Sequence, residues 1–398
     1  MVRFYNGTEL SKRLQISPKE KDRHHRYILE LIEFIYFLMD SKENSKTSNY
    51  PLFKMGLRLK ELGAKREEIE KSLRYHLLSS DYRGSKFIEN LFSIEAFISY
   101  LDHEHPKYTY HKLISYLGEE FVFSNHLPLE RDAYFLEKSI KIESFVIENS
   151  ILLPKEYEDL NMINKLNPIQ MEYLFFDLDP IFIASELYNF PYQIQIKLLS
   201  FLPFEVQQMT LYHLIEKKGN KIITSDLFDF ILARMQGREK NSFELRRYHH
   251  YHNRLYRGEE LSYRLNTSPK SKIQLKEILL ILLGVSGKIK EVGFLSSKEI
   301  LFYLNVEELS FLKLGLQYVL EGWHPINIRF VLENYILSGD LKGIEFLKRY
   351  IILDGCCSLA MNIPEYVFLE KSIQTIGTEY REEIQKFLKD TVDFNITT

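Results

Sequence analysis

Two cysteines occur in 398 residues, and they are adjacent: Cys356 and Cys357 in DGCCSLA. A vicinal disulfide is strained, so the pair reads as two thiols of a reducing compartment, and a disulfide scaffold is excluded. As small residues at a helix contact they need no chemistry; as exposed thiols they could act as nucleophiles. Long apolar runs are missing as well. The longest, Ile278 to Val285 in EILLILLGVSG, falls far short of the roughly 20 residues of a membrane span. The opening MVRFYNGTELSKRL has no apolar core of a signal peptide. A cytoplasmic chain that does not cross a bilayer is expected. Glycine-rich phosphate loops, HExxH, GxSxG and paired CxxC are all lacking, and no two acidic residues can be placed as an acid/base couple, so no cofactor and no enzymatic activity are expected.

A large excess of one charge is also lacking, since the net charge is only -3. Nucleic-acid binding therefore does not follow from the total. Locally the balance differs: from Arg234 to Lys272 there are ten Lys or Arg against four Asp or Glu. Within this stretch RRYHHYHNRLYR carries Arg246, Arg247, Arg254 and Arg257 as candidates for a basic surface. Basic residues interleaved with aromatics suit single-stranded nucleic acid, an acidic protein or anionic lipid headgroups equally. His249, His250 and His252, with His24 and His25, raise a metal reading, but the ligand pair at i and i+4 is missing.

What is present is helical periodicity. Apolar residues recur at helical spacing in YILELIEFIYFLM, IEKSLRYHLL and VLENYILSG, and strand-type alternation is nearly absent. The fold class is all-α. Pro168, Pro180, Pro191 and Pro203 stand 12, 11 and 12 residues apart, with Asn167 and Asp179 before the first two. A capping residue followed by proline starts a helix. Short helices with almost no loop between them stack side by side, as in armadillo-like and HEAT-like arrays.

The segment starting at Phe53, FKMGLRLKELGAKREEIEKSLRYHLLSSDYRGSKF, returns at Leu312 as LKLGLQYVLEGWHPINIRFVLENYILSGDLKGIEF. The offset of 259 holds without a gap over 66 positions, 15 of them identical. The outer modules are therefore expected to be duplicates. The expected division is an N-terminal helical module 1–127, a central stack 128–232, a basic polar connector 233–272 and a C-terminal helical module 273–398. Trp323, the only tryptophan, lies beside the turn EGWHPIN, where it either packs over the turn or anchors a protein partner.

The segment IQMEYLFFDLDPIFIASELYNFPYQIQIKLLSFLPFEVQQMTLYHLIEKKG resembles the C-terminal helical region of the flagellar rotor switch protein FliG. Asp177, Leu178 and Asp179 stand at that family's acidic turn, Ile183, Ala184 and Leu187 in its Leu-Ala helix, and Lys197 to Ser200 with Leu202 in its following short helix. Glu104, His105, Pro106 and Lys107 look like the family's EHPQ partner-binding motif, with lysine in the last place. KIKEVGFLSSKEILFYLNVEELSFLKLGLQYVLEGWHPINIRFVLENYI is similar to the cytoplasmic helices of the stator protein MotA, whose membrane spans are missing here. The helix corresponding to the switch protein's charged torque helix, PFEVQQMTLYHLIEKKG, is mostly neutral or apolar. The resemblances imply a non-enzymatic scaffold binding other flagellar motor proteins, in the cytoplasm or peripherally at the inner membrane face. The implied protein-binding candidates are Glu104, His105, Pro106, Lys107 and Asp179; Trp323 joins them from its place at the turn. The alternative is an adaptor whose basic patch binds nucleic acid or an anionic membrane surface.

Overall fold

A computed structural model describes residues 7–40, 50–80, 82–102, 104–125, 180–187, 192–202, 204–216, 258–293, 297, 299–304 and 309–391. Every element among them is helical, so the all-α class holds. No helix among the described residues is long and apolar enough to cross a membrane.

The first module comprises α1 (Gly7–Arg13), α2 (Pro18–Asp40), α3 (Pro51–Glu61), α4 (Arg66–Ser79), α5 (Gly84–Leu101) and α6 (Pro106–Ile114). A 3-10 turn (Ser115–Leu117) and α7 (Glu119–Ser124) complete it. Three short helices follow: α8 (Pro180–Leu187), α9 (Tyr192–Ser200) and α10 (Phe204–Glu216), with α8 packed on α10. The last module comprises α11 (Gly258–Leu265), α12 (Pro269–Gln274), α13 (Lys276–Val292), α14 (Ile300–Tyr303), α15 (Ser310–Leu320), α16 (Pro325–Gly339), α17 (Gly343–Ala360) and α18 (Glu365–Ile376). A 3-10 turn (Thr378–Tyr380) and α19 (Arg381–Thr391) close it.

Proline opens six of these helices, at Pro18, Pro51, Pro106, Pro180, Pro269 and Pro325. At the first helical position its missing N–H has no partner to lose, and its fixed φ already suits the helix. Pro168, Pro191, Pro203 and Asp179 lie outside the described residues.

Helices α3, α4 and α5 correspond in bounds to α15, α16 and α17 at the offset of 259, with α16 one residue longer at its end. Their turns are built alike. Gly63 and Gly322 both have positive φ, which glycine adopts without strain. At each, the glycine N–H and the next N–H bond back to the preceding helix: Gly63 to Lys60 (2.9 Å) and Ala64 to Leu59 (3.1 Å), Gly322 to Val319 and Trp323 to Tyr318 (both 3.0 Å).

The duplication also runs further towards the N-terminus than the segments from Phe53 and Leu312. GTELSKRLQISPKEK from Gly7 returns as GEELSYRLNTSPKSK from Gly258, with ten of fifteen positions identical at an offset of 251. The equivalent side chains act alike. Arg13 donates to the Tyr82 carbonyl (3.4 Å) and Arg264 to the Leu341 carbonyl (2.7 Å). Ser17 and Ser268 each accept the N–H three residues on, at 3.4 and 3.2 Å. The second repeat therefore begins at Gly258 rather than 273. Residues 258–265 and 269–274 are helical, and α11 packs on α17. Arg264 belongs to the core of this repeat, paired with Glu260 and Asp340 (both 2.6 Å), and not to an exposed basic connector.

In each repeat α5 or α17 is packed among its neighbours, and its C-terminal half is buried on nearly every side, all of Leu91 to Tyr100 in α5 and all but Asp354 and Leu359 from Ile351 to Ala360 in α17. Buried residues of both repeats form one cluster, which Met209 of α10 joins. Where α3 crosses α5, Gly56 lies against the Phe97 ring; at the equivalent crossing Gly315 lies against Cys356. A Cβ on Gly315 would stand 2.6 Å from the Cys356 Sγ. Gly315→Ala is therefore expected to destabilise the chain by about 1 to 3 kcal/mol, since overpacking exceeds the ~1 kcal/mol gained in helix propensity. Cys356→Ala in the same chain should remove most of that loss. Denaturant unfolding of the four species decides it, and a neutral or stabilising Gly315→Ala would contradict the close crossing.

Candidate functional site: the seam between the repeats

The repeats meet head to tail. The face made by α6, its 3-10 turn and α7 receives α16, and α1 lies against the same helix. Here the candidates Lys107 and Trp323, more than 200 residues apart, come together.

Trp323 is 2% exposed. Its ring stacks on Tyr318 (centroids 4.2 Å apart), tilts against Tyr108 (4.2 Å) and stands edge-on to His111 (5.3 Å). Its Nε1 donates to Glu321 Oε2 at 3.0 Å, and Glu321 Oε1 lies 3.3 Å from Lys107 Nζ. Trp323 is thus part of the seam and not an anchor for a partner. Lys107 is likewise buried, its charge met by Glu321. A buried ion pair does not by itself imply large net stabilisation, but losing one member leaves an uncompensated charge.

The other residues of the EHPK segment serve the start of α6. Pro106 opens the helix and is buried. His105 caps it, its Nδ1 accepting the Lys107 N–H at 3.2 Å. Desolvation, with Lys107 adding to it, pushes the His105 imidazole down to about 3, so the ring stays neutral and able to accept. Glu104 accepts from Ser99 Oγ at 2.7 Å and pairs with Lys112. The four side chains are turned to their own fold, which corrects the reading of this segment as a partner-binding motif.

Polar contacts fix the register along the rest of the seam. Asn334 Nδ2 donates to Ser115 Oγ (2.8 Å) and to the Lys112 carbonyl (3.3 Å), and Ser11 Oγ donates to the Leu337 carbonyl (2.8 Å). His111 Nδ1 and the Tyr318 hydroxyl share a hydrogen bond of 3.0 Å. Arg349 grips Glu119 with two nitrogens, at 2.6 and 3.0 Å, the bidentate geometry that suits guanidinium and carboxylate. Chemically this is an adhesive surface, on which each of these charges faces its opposite.

Cys356 and Cys357 are buried and unbridged, and desolvation holds the Cys356 thiol well above its ordinary range. They fit the core reading rather than the nucleophile reading. Among the described residues no three His, Cys, Asp or Glu side chains are grouped to hold a metal ion. Arg246, Arg247, Arg254, Arg257, His249, His250 and His252 lie outside the described residues.

The seam itself escapes sequence reading because neither half is unusual alone. The nearest signal was Glu321 and Trp323 standing where the first repeat has Leu62 and Ala64. No protein-family model matches the chain, and neither does any curated protein or solved structure.

Proposed function

We propose that the chain is a non-enzymatic helical-repeat scaffold, an array of armadillo or HEAT type, that binds other proteins on the helical faces its repeats leave uncovered. One observation carries this reading: α16 adheres to another module through its outer row, and α4, its equivalent in the first repeat, presents that row to solvent. Such faces bind by burying a few apolar anchors, with charge setting rate and specificity.

A place among flagellar motor components is the narrower form of the proposal. The succession α8, α9, α10 supports it, having the helix order of the switch-protein segment that it resembles. The other reading, an adaptor whose basic segment binds nucleic acid or an anionic membrane, rests on Arg246, Arg247, Arg254 and Arg257. Affinity capture from cell extract with partner identification separates the two. Neutralising the four arginines should slow association while leaving equilibrium capture intact, whereas Leu62→Glu with Tyr75→Glu on the α4 side should abolish it. The opposite pattern, with capture falling steeply as salt rises, would replace the scaffold by the basic adaptor. Swimming that is unaffected by loss of the gene would remove the flagellar form alone.

A further inference from the structure

Because the seam is head to tail, each repeat buries a surface whose counterpart on the other repeat stays open. The inner row of α16, Ile328, Leu332 and Ile336, corresponds to Ile69, Leu73 and Leu77 of α4, and all six are buried. Its seam row, Phe330, Asn334 and Ser338, corresponds to Lys71, Tyr75 and Ser79, and these three are exposed. At the other end of the chain, α18 is the counterpart of α6. Its Tyr366 and Gln374 stand where α6 and its turn have Lys107 and Ser115, and both are exposed.

Set together as the seam faces are, these two open faces bring corresponding residues opposite one another. The pair Glu321 and Lys107 becomes Leu62 and Tyr366, two large apolar side chains that are 74% and 63% exposed. Trp323 against Tyr108 becomes Ala64 against Val367, and Asn334 with Ser115 becomes Tyr75 with Gln374. Tyr335 against Phe123 becomes His76 beside Glu382, five residues past the glycine in each repeat. The bond from Ser11 to the Leu337 carbonyl has its counterpart in identical residues, Ser262 and Leu78. One match is of like charge: Phe330 over Lys112 becomes Lys71 beside Lys371. Each of those lysines already has its own partner, Lys71 over the Tyr75 ring (5.7 Å) and Lys371 on Asp354 (2.9 Å).

We infer that a second copy of this chain docks its α4 face onto the α18 face of the first, repeating between chains the seam that exists within each. The inference rests on the scaffold reading and names its partner. Such an interface is heterologous, and a dimer made through one copy of it leaves one face of each kind open, so assembly proceeds beyond the dimer. The open faces are more polar than the seam, with Lys71, His76 and Ala64 in place of Phe330, Tyr335 and Trp323. Association is accordingly weak and concentration-dependent, as polar terminal faces of a repeat array require.

Sedimentation velocity of the purified full chain, from micromolar to submillimolar concentration, tests this. The wild-type average mass is expected to climb past that of a dimer. Leu62→Glu and Tyr366→Lys, both at exposed positions, should each weaken association about tenfold or more. Combined in one chain they restore the seam's own Glu–Lys pairing, so association should recover and become salt-sensitive. A monomer at every concentration, a mass that stops at the dimer, association untouched by either single variant, or a double variant no better than the singles would each overturn the inference. A monomeric chain that still captures other proteins through its α4 face would remove the second copy and leave the scaffold reading standing.

Discussion

Replacing Trp323 by alanine is expected to destabilise the folded chain by about 3 to 5 kcal/mol, the scale for a large aromatic lost from a packed interior. The indole fills the space between Tyr318, Tyr108 and His111, so its removal leaves a cavity in the seam where the two repeats meet. It also takes a donor from Glu321, the carboxylate that balances Lys107 in the interior. A partially satisfied buried carboxylate adds to the cavity term. Denaturant unfolding at neutral pH, followed by tryptophan-independent far-UV circular dichroism, measures the effect. A loss below about 1 kcal/mol would mean that Trp323 is a surface residue and that the seam is not formed in solution. The same substitution should lower the cooperativity of the transition, because the first and last repeats communicate through this contact.

The helix starts and turns were legible in the sequence, for a reason that applies residue by residue. Pro180 opens α8 as its spacing implies, and Gly63 and Gly322 occupy turns that only a positive φ can make. These are constraints set by the backbone within a few residues. The start of the second repeat was not legible in one register, because Pro269 and Ser310 stand 41 residues apart where their counterparts Pro18 and Pro51 stand 33 apart, shifting the offset from 251 to 259. The roles of Lys107 and Arg264 were hidden for a different reason. A lysine or arginine reads as solvated until its partner is known, and the partners, Glu321 and Asp340, lie far along the chain. EHPK resembles a recognition motif because a helix cap and a docking motif use the same short polar residues followed by proline. Only the direction of the side chains separates the two.

Acid should unfold this protein from an unusually high pH, and the histidines make the reason explicit. His24 is wholly buried beside Phe92, and neither of its ring nitrogens has a hydrogen-bond partner. Desolvation, aided by the nearby Arg23 charge, lowers it from 6.5 to about 4. His105 is pushed down to about 3 and His111 well below its ordinary value, in both cases by desolvation first and by Lys107 second. The folded state thus keeps these rings neutral where the unfolded chain protonates them. The sign follows directly: above the unfolded value of 6.5 the histidines exert no pH dependence, and as pH falls towards 4 the unfolded state gains protons that the folded state cannot take, so stability declines. Carboxylates act lower down. Glu20, held at about 2 by the Ser85 hydroxyl and the Ser17 backbone and hydroxyl, loses its contribution only below its ordinary 4.5. The window from 6.5 to 4.5 is therefore that of the histidines. Urea unfolding at intervals across it should show a steady loss in the wild type and a shallower one in His24→Leu, which replaces a buried ring that makes no hydrogen bond and has the Glu89 carboxylate 3.8 Å away by an apolar side chain. Stability that is flat from pH 7 to 4.5, or a slope that the substitution leaves unchanged, would mean that His24 is solvated and that the interior face of α2 is open.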